Sequence, residues 1–244
     1  MTTPPHKPTS GYSLHTSCHW SPRKGVSGVK LNEQPLATVS DVTYDSRVPV
    51  NNSSERLFLS DAIRFLQAGK LEELDLSRME LRDEGAVRVA DAIRHDTKLR
   101  FLNLGYNEFN DDAAGSLAAA LRTNTTLEYL NLRGNRIGPR GAEELAAALS
   151  GNTTLQELNL DHNGVGDQGA KCFAKMLSTQ RVLASLHLGW NMIGNEGAGY
   201  ISELIRGNCG LKVLNMCGNH VGGDGSTWLY QAQKSNPYLM VGFP

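Results

Sequence analysis

The sequence has few cysteines, almost no net charge and no long apolar segment. Lysine and arginine together number 24 and aspartate and glutamate 25 in 244 residues, so no overall field attracts nucleic acid or an anionic membrane. Charged residues or asparagine interrupt the apolar runs well before the roughly 20 residues that a membrane-spanning helix needs. The 4 cysteines lack the paired spacing of a disulfide framework, and no apolar signal-peptide core is present near the N-terminus. We therefore expect a cytoplasmic protein that binds neither nucleic acid nor membrane.

The dominant feature that the sequence does have is a repeat of 28 residues. Each unit opens with L-x-x-L-x-L, as at Leu99, Leu102 and Leu104, and the alternation of the last two leucines with other residues is typical of a short strand. An asparagine follows three residues later, and a segment with apolar residues at i and i+4, such as Leu117 and Leu121, indicates a helix. This period and pattern are typical of a leucine-rich repeat. The first leucine of the pattern recurs at positions 71, 99, 127, 155, 183, 211 and 239.

The repeat predicts an α/β horseshoe-shaped solenoid. Neighbouring strands stand about 4.8 Å apart whereas neighbouring helices need roughly 8–10 Å, so the stack curves with its parallel sheet on the concave face and its helices on the convex face. We assign residues 1–54 to an extended or disordered arm, 55–70 to an N-terminal cap helix, 71–238 to six repeats and 239–244 to a C-terminal capping strand or tail. Extending the repeat register into the cap helix places Phe65 on its inward face.

The motif N-x-I-G-x-x-G-A-x-x-L-A-x-A-L resembles the ribonuclease-inhibitor-like class of leucine-rich repeats, over residues 57–243. Proteins similar to this class include the repeat domains of NOD-like receptors and leucine-rich subunits of ciliary assemblies such as the dynein regulatory complex. The resemblance implies a non-enzymatic protein-binding or scaffold module. We expect a structural subunit of a ciliary, axonemal or other cytoskeletal assembly, located in the cytoplasm or the axoneme. Ran GTPase-activating proteins share the repeat type, so regulation of such an enzyme is the alternative.

The strand alternation predicts which side chains meet a protein partner, because every second residue of a strand faces the concave side. Aromatic residues and arginine dominate the binding energy of protein interfaces. The alternative for two of the predicted residues is that Phe101 and Tyr129 only cover each other as cross-strand neighbours. The N-terminal arm is a second candidate interface. The predicted partner-binding residues are Phe101, Tyr106, Tyr129, Arg133, Asp161, His162, His187 and Trp190.

Other motifs in the sequence do not predict chemistry. The G-x-G-x-x-G from Gly164 to Gly169 matches a dinucleotide fingerprint, but its last two glycines recur in other repeats and no acidic residue follows at the required distance. A compact cluster of His15, Cys18 and His19 lacks the further ligands of a zinc site. Asn124 and Asn152 begin N-x-T sequences at the same repeat position, which indicates a structural turn rather than a glycosylation site. We expect no catalytic residue, cofactor or metal.

Overall fold

The structure, a computed structural model, describes residues 52–207 and 210–243 of the chain, with side chains from residue 59. Residues 1–51 of the predicted arm, including the His15, Cys18 and His19 cluster, lie outside this part. Helices and strands alternate from one end of it to the other. They are α1 (Asn52–Gln67), β1 (Glu73–Asp75), α2 (Arg82–Ile93), β2 (Phe101–Asn103), α3 (Asp111–Leu121), β3 (Tyr129–Asn131), α4 (Pro139–Leu149), β4 (Glu157–Asn159), α5 (Gly166–Thr179), β5 (Ser185–His187), α6 (Asn195–Arg206), β6 (Val213–Asn215), α7 (Gly223–Ser235) and β7 (Met240–Gly242).

The seven strands form one parallel sheet in sequence order. From β1 to β6 each residue pairs with the residue 28 positions later, as Leu102 with Leu130, so the period of the sequence is also the register of the sheet. The predicted α/β solenoid is confirmed.

Helix α1 covers most of the predicted cap, but Phe65 is exposed on it and Leu66 is buried instead. The inward face of α1 is therefore offset by one residue from the register of the repeats. Within the described ranges, no helix is long and apolar enough to cross a membrane.

The core lies between the sheet and the helices. The central leucine of each strand from β1 to β6 and the i, i+4 pairs of the helices, such as Leu145 and Leu149, are almost completely buried. Each repeat buries several leucine-sized side chains, and such burial contributes about 1.5–3 kcal/mol for each side chain. Because each repeat stacks on its neighbours, this stabilisation extends along the whole solenoid.

A ladder of asparagines holds the turns that follow the strands. Asn135 is typical: its Nδ2 donates to the carbonyl oxygens of Leu132 at 2.8 Å and Leu104 at 3.2 Å, and its Oδ1 accepts from the backbone N–H groups of Asn107 and Phe109. One amide therefore satisfies backbone groups of two adjacent repeats that would otherwise be buried without partners. The ladder consists of Asn107, Asn135, Asn163, Asn191 and Asn219.

A second series of polar side chains holds the turns that lead into the strands. Asn124 accepts from the N–H of Leu127 at 2.8 Å and donates to the carbonyl of Ile93 at 2.8 Å. Asn152 makes the equivalent bonds one repeat later, and both side chains are buried. These contacts support the structural role that the sequence predicts for the two N-x-T sites, since an amide enclosed in this way has no room for a glycan.

Candidate protein-binding surface

The first residues of strands β1 to β4 form a line across the sheet. Glu73 pairs in register with Phe101, Phe101 with Tyr129, and Tyr129 with Glu157. We call these four residues the acidic–aromatic row. The rings of Phe101 and Tyr129 are stacked, with centroids 4.2 Å apart and planes inclined by 7°. The two rings therefore cover each other as cross-strand neighbours, while both remain partly exposed between two glutamates.

The surroundings of Tyr129 are acidic. Burial, together with the carboxylates of Glu157, Asp161 and Asp75, raises the pKa of Tyr129 to about 12. Burial makes the largest contribution, and the three carboxylates act in the same direction because a phenolate next to them would be repelled. This part of the sheet therefore presents a neutral phenol in a negative field.

The loops after the strands form a second line, parallel to the sheet. We call the residues directly before the ladder position the loop rim: Arg78, Tyr106, Gly134, His162, Trp190 and Gly218. All six have positive φ angles, between 57° and 70°. A left-handed backbone is costly for residues other than glycine, and its recurrence shows that the turn geometry dictates it. The same turn places the Tyr106 and Trp190 rings over the glycine of the next repeat.

Tyr106 lies across the next loop of the rim. A Cβ atom at Gly134 would overlap the Tyr106 ring, so the glycine leaves the space in which the ring rests. The guanidinium of Arg78 covers the ring at 4.6 Å from its centroid, and Nε of Arg133 donates to the hydroxyl at 2.9 Å. Arg133 also approaches Asp161, with Nη1 3.8 Å from Oδ2. Two arginines thus fix one tyrosine.

Trp190 repeats this arrangement three repeats later with a more exposed ring. It lies over Gly218, and a Cβ atom there would overlap the indole. His162 stacks on it with centroids 5.4 Å apart and planes inclined by 6°. Burial and Arg133 lower the pKa of His162, and Asp161 partly opposes them. Trp190 is 55% exposed, and Met192, two residues later, is 58% exposed, so both present apolar side chains at the surface.

The other two predicted residues, Asp161 and His187, are engaged in polar contacts within the protein. Asp161 is buried, and its Oδ1 accepts from the backbone N–H of Gly189 at 2.6 Å. His187 is also buried, with Nε2 3.0 Å from Oγ of Ser185 and 3.3 Å from Oε1 of Glu157. Both of these contacts use the same ring nitrogen, Nε2. No group of three or more histidine, cysteine, aspartate or glutamate side chains in residues 59–207 and 210–243 could hold a metal ion.

Six of the eight predicted residues lie on the row, on the rim or between them, whereas Asp161 and His187 are buried. The row contributes Phe101 and Tyr129, the rim contributes Tyr106, His162 and Trp190, and Arg133 connects the two lines. The predicted partner-binding set does not include Glu73, although the strand alternation places it on the concave face, nor Arg78 or the two glycines under the rings. The two glycines can be found from the 28-residue register, because a glycine stands one repeat after Tyr106 and one repeat after Trp190.

Comparison with known families agrees with this architecture. The family model described as "Leucine Rich repeat" matches four segments, residues 95–118, 123–146, 151–174 and 180–202. The 28-residue register, the full helix in each repeat and the asparagine ladder add the subtype. The described part of the chain is a leucine-rich repeat solenoid, and its repeats resemble the ribonuclease-inhibitor-like type. Solenoids of stacked repeats offer extended binding surfaces, so this leucine-rich repeat protein is a protein-interaction module. No curated protein matches the sequence.

Two solved structures share the fold. The leiomodin-1 actin-binding site 2 aligns with a TM-score of 0.54 and 21% identity, over 64% of this leucine-rich repeat chain and 88% of that chain. The C-terminal domain of tropomodulin from Caenorhabditis elegans aligns with a TM-score of 0.50 and 13% identity, over 73% of this chain and 93% of that chain. At these identities the similarity establishes the fold alone.

Proposed function

We propose that this chain is a non-enzymatic recognition subunit that binds a protein of a cytoskeletal assembly through its concave sheet and loop rim. The observation that carries the proposal is Trp190. Its ring rests on Gly218 and His162 while about half of it stays exposed. A large aromatic side chain that is already fixed in place loses little conformational entropy on binding, which makes it an effective anchor for a partner.

The comparison supports the cytoskeletal part of the proposal. One of the two similar structures is by its title an actin-binding site, and the other belongs to tropomodulin. We extend this to a structural subunit of a ciliary, axonemal or related filament assembly in the cytoplasm. The finer location rests on the resemblance of the repeats to those of ciliary leucine-rich subunits.

The test begins with the partner. Full-length protein is cross-linked in cells that express it, and its partners are identified by mass spectrometry; purified protein is also sedimented with actin filaments and with microtubules. Trp190→Ala combined with Tyr129→Ala is expected to weaken binding at least about tenfold, because both anchors are removed. The matched control is Trp228→Ala with Tyr230→Ala, which removes two exposed aromatic residues from α7. Equal binding by both double variants would place the interface elsewhere.

Regulation of a GTPase is the alternative function that the repeat type raises. Turnover of GTP by candidate partner GTPases, measured with and without this protein, separates the two functions. Acceleration of hydrolysis by catalytic amounts of the protein would favour the regulator, and unchanged turnover favours the scaffold.

A further inference from the structure

We propose that the acidic–aromatic row of Glu73, Phe101, Tyr129 and Glu157 binds lysine or arginine side chains, so that the partner contacts it with a basic segment. This proposal rests on the proposed function, because it assigns the chemistry of the partner at the concave surface. It concerns the sheet, whereas the anchor of the proposed function lies on the rim.

The row places a carboxylate next to each outer ring face. Phe101 and Tyr129 stack on each other, so one face of each ring is used internally. The outer face of Phe101 is turned towards Glu73 and that of Tyr129 towards Glu157, each one strand away in register. Cations are attracted to the faces of aromatic rings, and a carboxylate within reach adds a charge-assisted hydrogen bond. The row offers both interactions at each outer face, and at Tyr129 the carboxylate of Glu157 also contacts Nε2 of His187 at 3.3 Å.

Among the described residues, the protein supplies cations to the neighbouring aromatic site but not to this one. At Tyr106, Arg78 covers the ring and Arg133 reaches both the hydroxyl and Asp161. Glu73 is exposed, and in the part of the chain that the structure describes it forms no ion pair with a lysine or arginine. The same combination of aromatic ring and carboxylate is therefore filled internally at one place and open to a partner at the other.

The charges around the row favour a cation over an anion. Asp75 follows Glu73 on the same strand and uses its carboxylate to accept from Asn103 at 3.0 Å and from the N–H of Ser77. Arg100, which directly precedes Phe101, is paired with Glu128 at 2.6 Å. The charge of Arg100 is thus already neutralised, while Glu73 has no ion pair with a lysine or arginine in the part of the chain that the structure describes. An acidic segment of a partner would meet repulsion here.

The experiment uses the full-length protein and two fluorescent peptides of equal length. In the first, arginine alternates with glycine and serine; in the second, citrulline replaces arginine, which keeps the shape and removes the charge. Binding is followed by fluorescence anisotropy at low and at physiological salt. We expect the arginine peptide to bind about five- to tenfold more tightly than the citrulline peptide at low salt, and salt to reduce the difference.

Substitutions locate the binding on the row. Glu73→Gln with Glu157→Gln is expected to weaken binding of the arginine peptide about five- to tenfold. Glu73→Gln alone is expected to produce part of this loss, and it disturbs no contact to a cation in the described part. Glu143→Gln with Glu203→Gln removes the same charge from exposed positions on the convex helices and is expected to change binding little. Equal affinity for both peptides, or an arginine affinity that the row variants leave unchanged, would overturn the proposal.

Two further outcomes are informative. The first 31 residues contain Lys7, Arg23, Lys24 and Lys30 and no acidic residue. If the arginine peptide binds only after these four residues are changed to glutamine in the full chain, the row is occupied by the chain's own N-terminal segment, and the assignment to a partner is wrong. If Trp190→Ala abolishes binding of the cellular partner while the glutamate variants keep it, the proposed function stands and the basic-segment inference fails.

Discussion

Asp161 and Asn215 are hydrogen-bonded across the whole width of strand β5, although 54 residues separate them in the sequence. Nδ2 of Asn215 donates to Oδ1 of Asp161 at 3.0 Å and to Oδ2 at 3.2 Å. Gly189 lies between them and donates its backbone N–H to the same carboxylate. A Cβ atom on Gly189 would stand 2.7 Å from the Asn215 amide and 2.9 Å from the Asp161 carboxylate. The bridge between the two repeats therefore depends on the absence of a side chain in the repeat between them.

The first prediction concerns this glycine. Gly189→Ala is expected to lower the free energy of unfolding by about 1–3 kcal/mol, because the methyl group forces apart a buried carboxylate and its donors. The measurement is urea denaturation followed by circular dichroism. Gly115→Ala in α3 is the matched control. A Cβ atom there meets nothing within 4 Å, so this change is expected to raise the unfolding free energy by roughly 0.5–1 kcal/mol. Equal effects at the two sites would contradict the prediction.

The ladder gives a second prediction. Asn135→Ala is expected to lower the unfolding free energy by about 2–4 kcal/mol, because it leaves buried backbone donors and carbonyl oxygens of two repeats without their partner. The control is Gln231→Ala, an exposed amide on α7, which is expected to change stability by less than about 0.5 kcal/mol. Calorimetry of both variants measures the difference. A loss at Asn135 no larger than at Gln231 would mean that water replaces the ladder bonds.

The rim gives a third prediction, at a residue that need not contact the partner. Gly218→Ala is expected to displace the Trp190 ring, because the added methyl group overlaps the indole. Acrylamide quenching of Trp190 fluorescence, measured with Trp20 and Trp228 replaced by phenylalanine, is expected to increase. Partner binding is expected to weaken by about tenfold, as for loss of one anchor.

The control for the rim prediction is Gly223→Ala in the next helix, where a Cβ atom meets nothing within 4 Å. It is expected to leave both the quenching and the binding unchanged. If Gly218→Ala leaves Trp190 quenching as in the original protein, the indole is not held by this contact.

The fourth prediction concerns pH. The pKa of His162 is lowered in the folded protein from its ordinary 6.5, so the unfolded chain binds a proton more readily than the folded one. The contribution of His162 to stability is therefore complete above about pH 6.5 and is lost as the pH falls through that value towards the lower pKa of the folded state. His162→Gln is expected to reduce the difference in unfolding free energy between pH 8 and pH 5. His220→Gln, at an exposed loop position, serves as the control.

The sequence predicts the architecture well because one rule repeats. Leucine spacing determines strands, helix faces and register together, so an error in one unit would conflict with its neighbours. The contacts between side chains of different repeats are harder to predict. The contacts of Tyr106 with Gly134 and of Trp190 with Gly218 depend on a left-handed turn, and the leucine pattern does not predict this turn. The offset of Phe65 in α1 arises where the repeat rule ends, because a cap has a neighbour on one side only.

The asparagine ladder also makes the two ends of the solenoid unequal in their resistance to local unfolding. Met79 occupies the first ladder position, so the unit around β1 receives bonds from Asn107 but contributes no side-chain amide of its own. Each helix packs mainly on the helix of the adjacent repeat, and a disturbance at one end passes inward one unit at a time. We therefore expect local unfolding to begin in the unit around β1. Amide hydrogen exchange is expected to be fastest in β1 and α2 and slowest around β3 and β4.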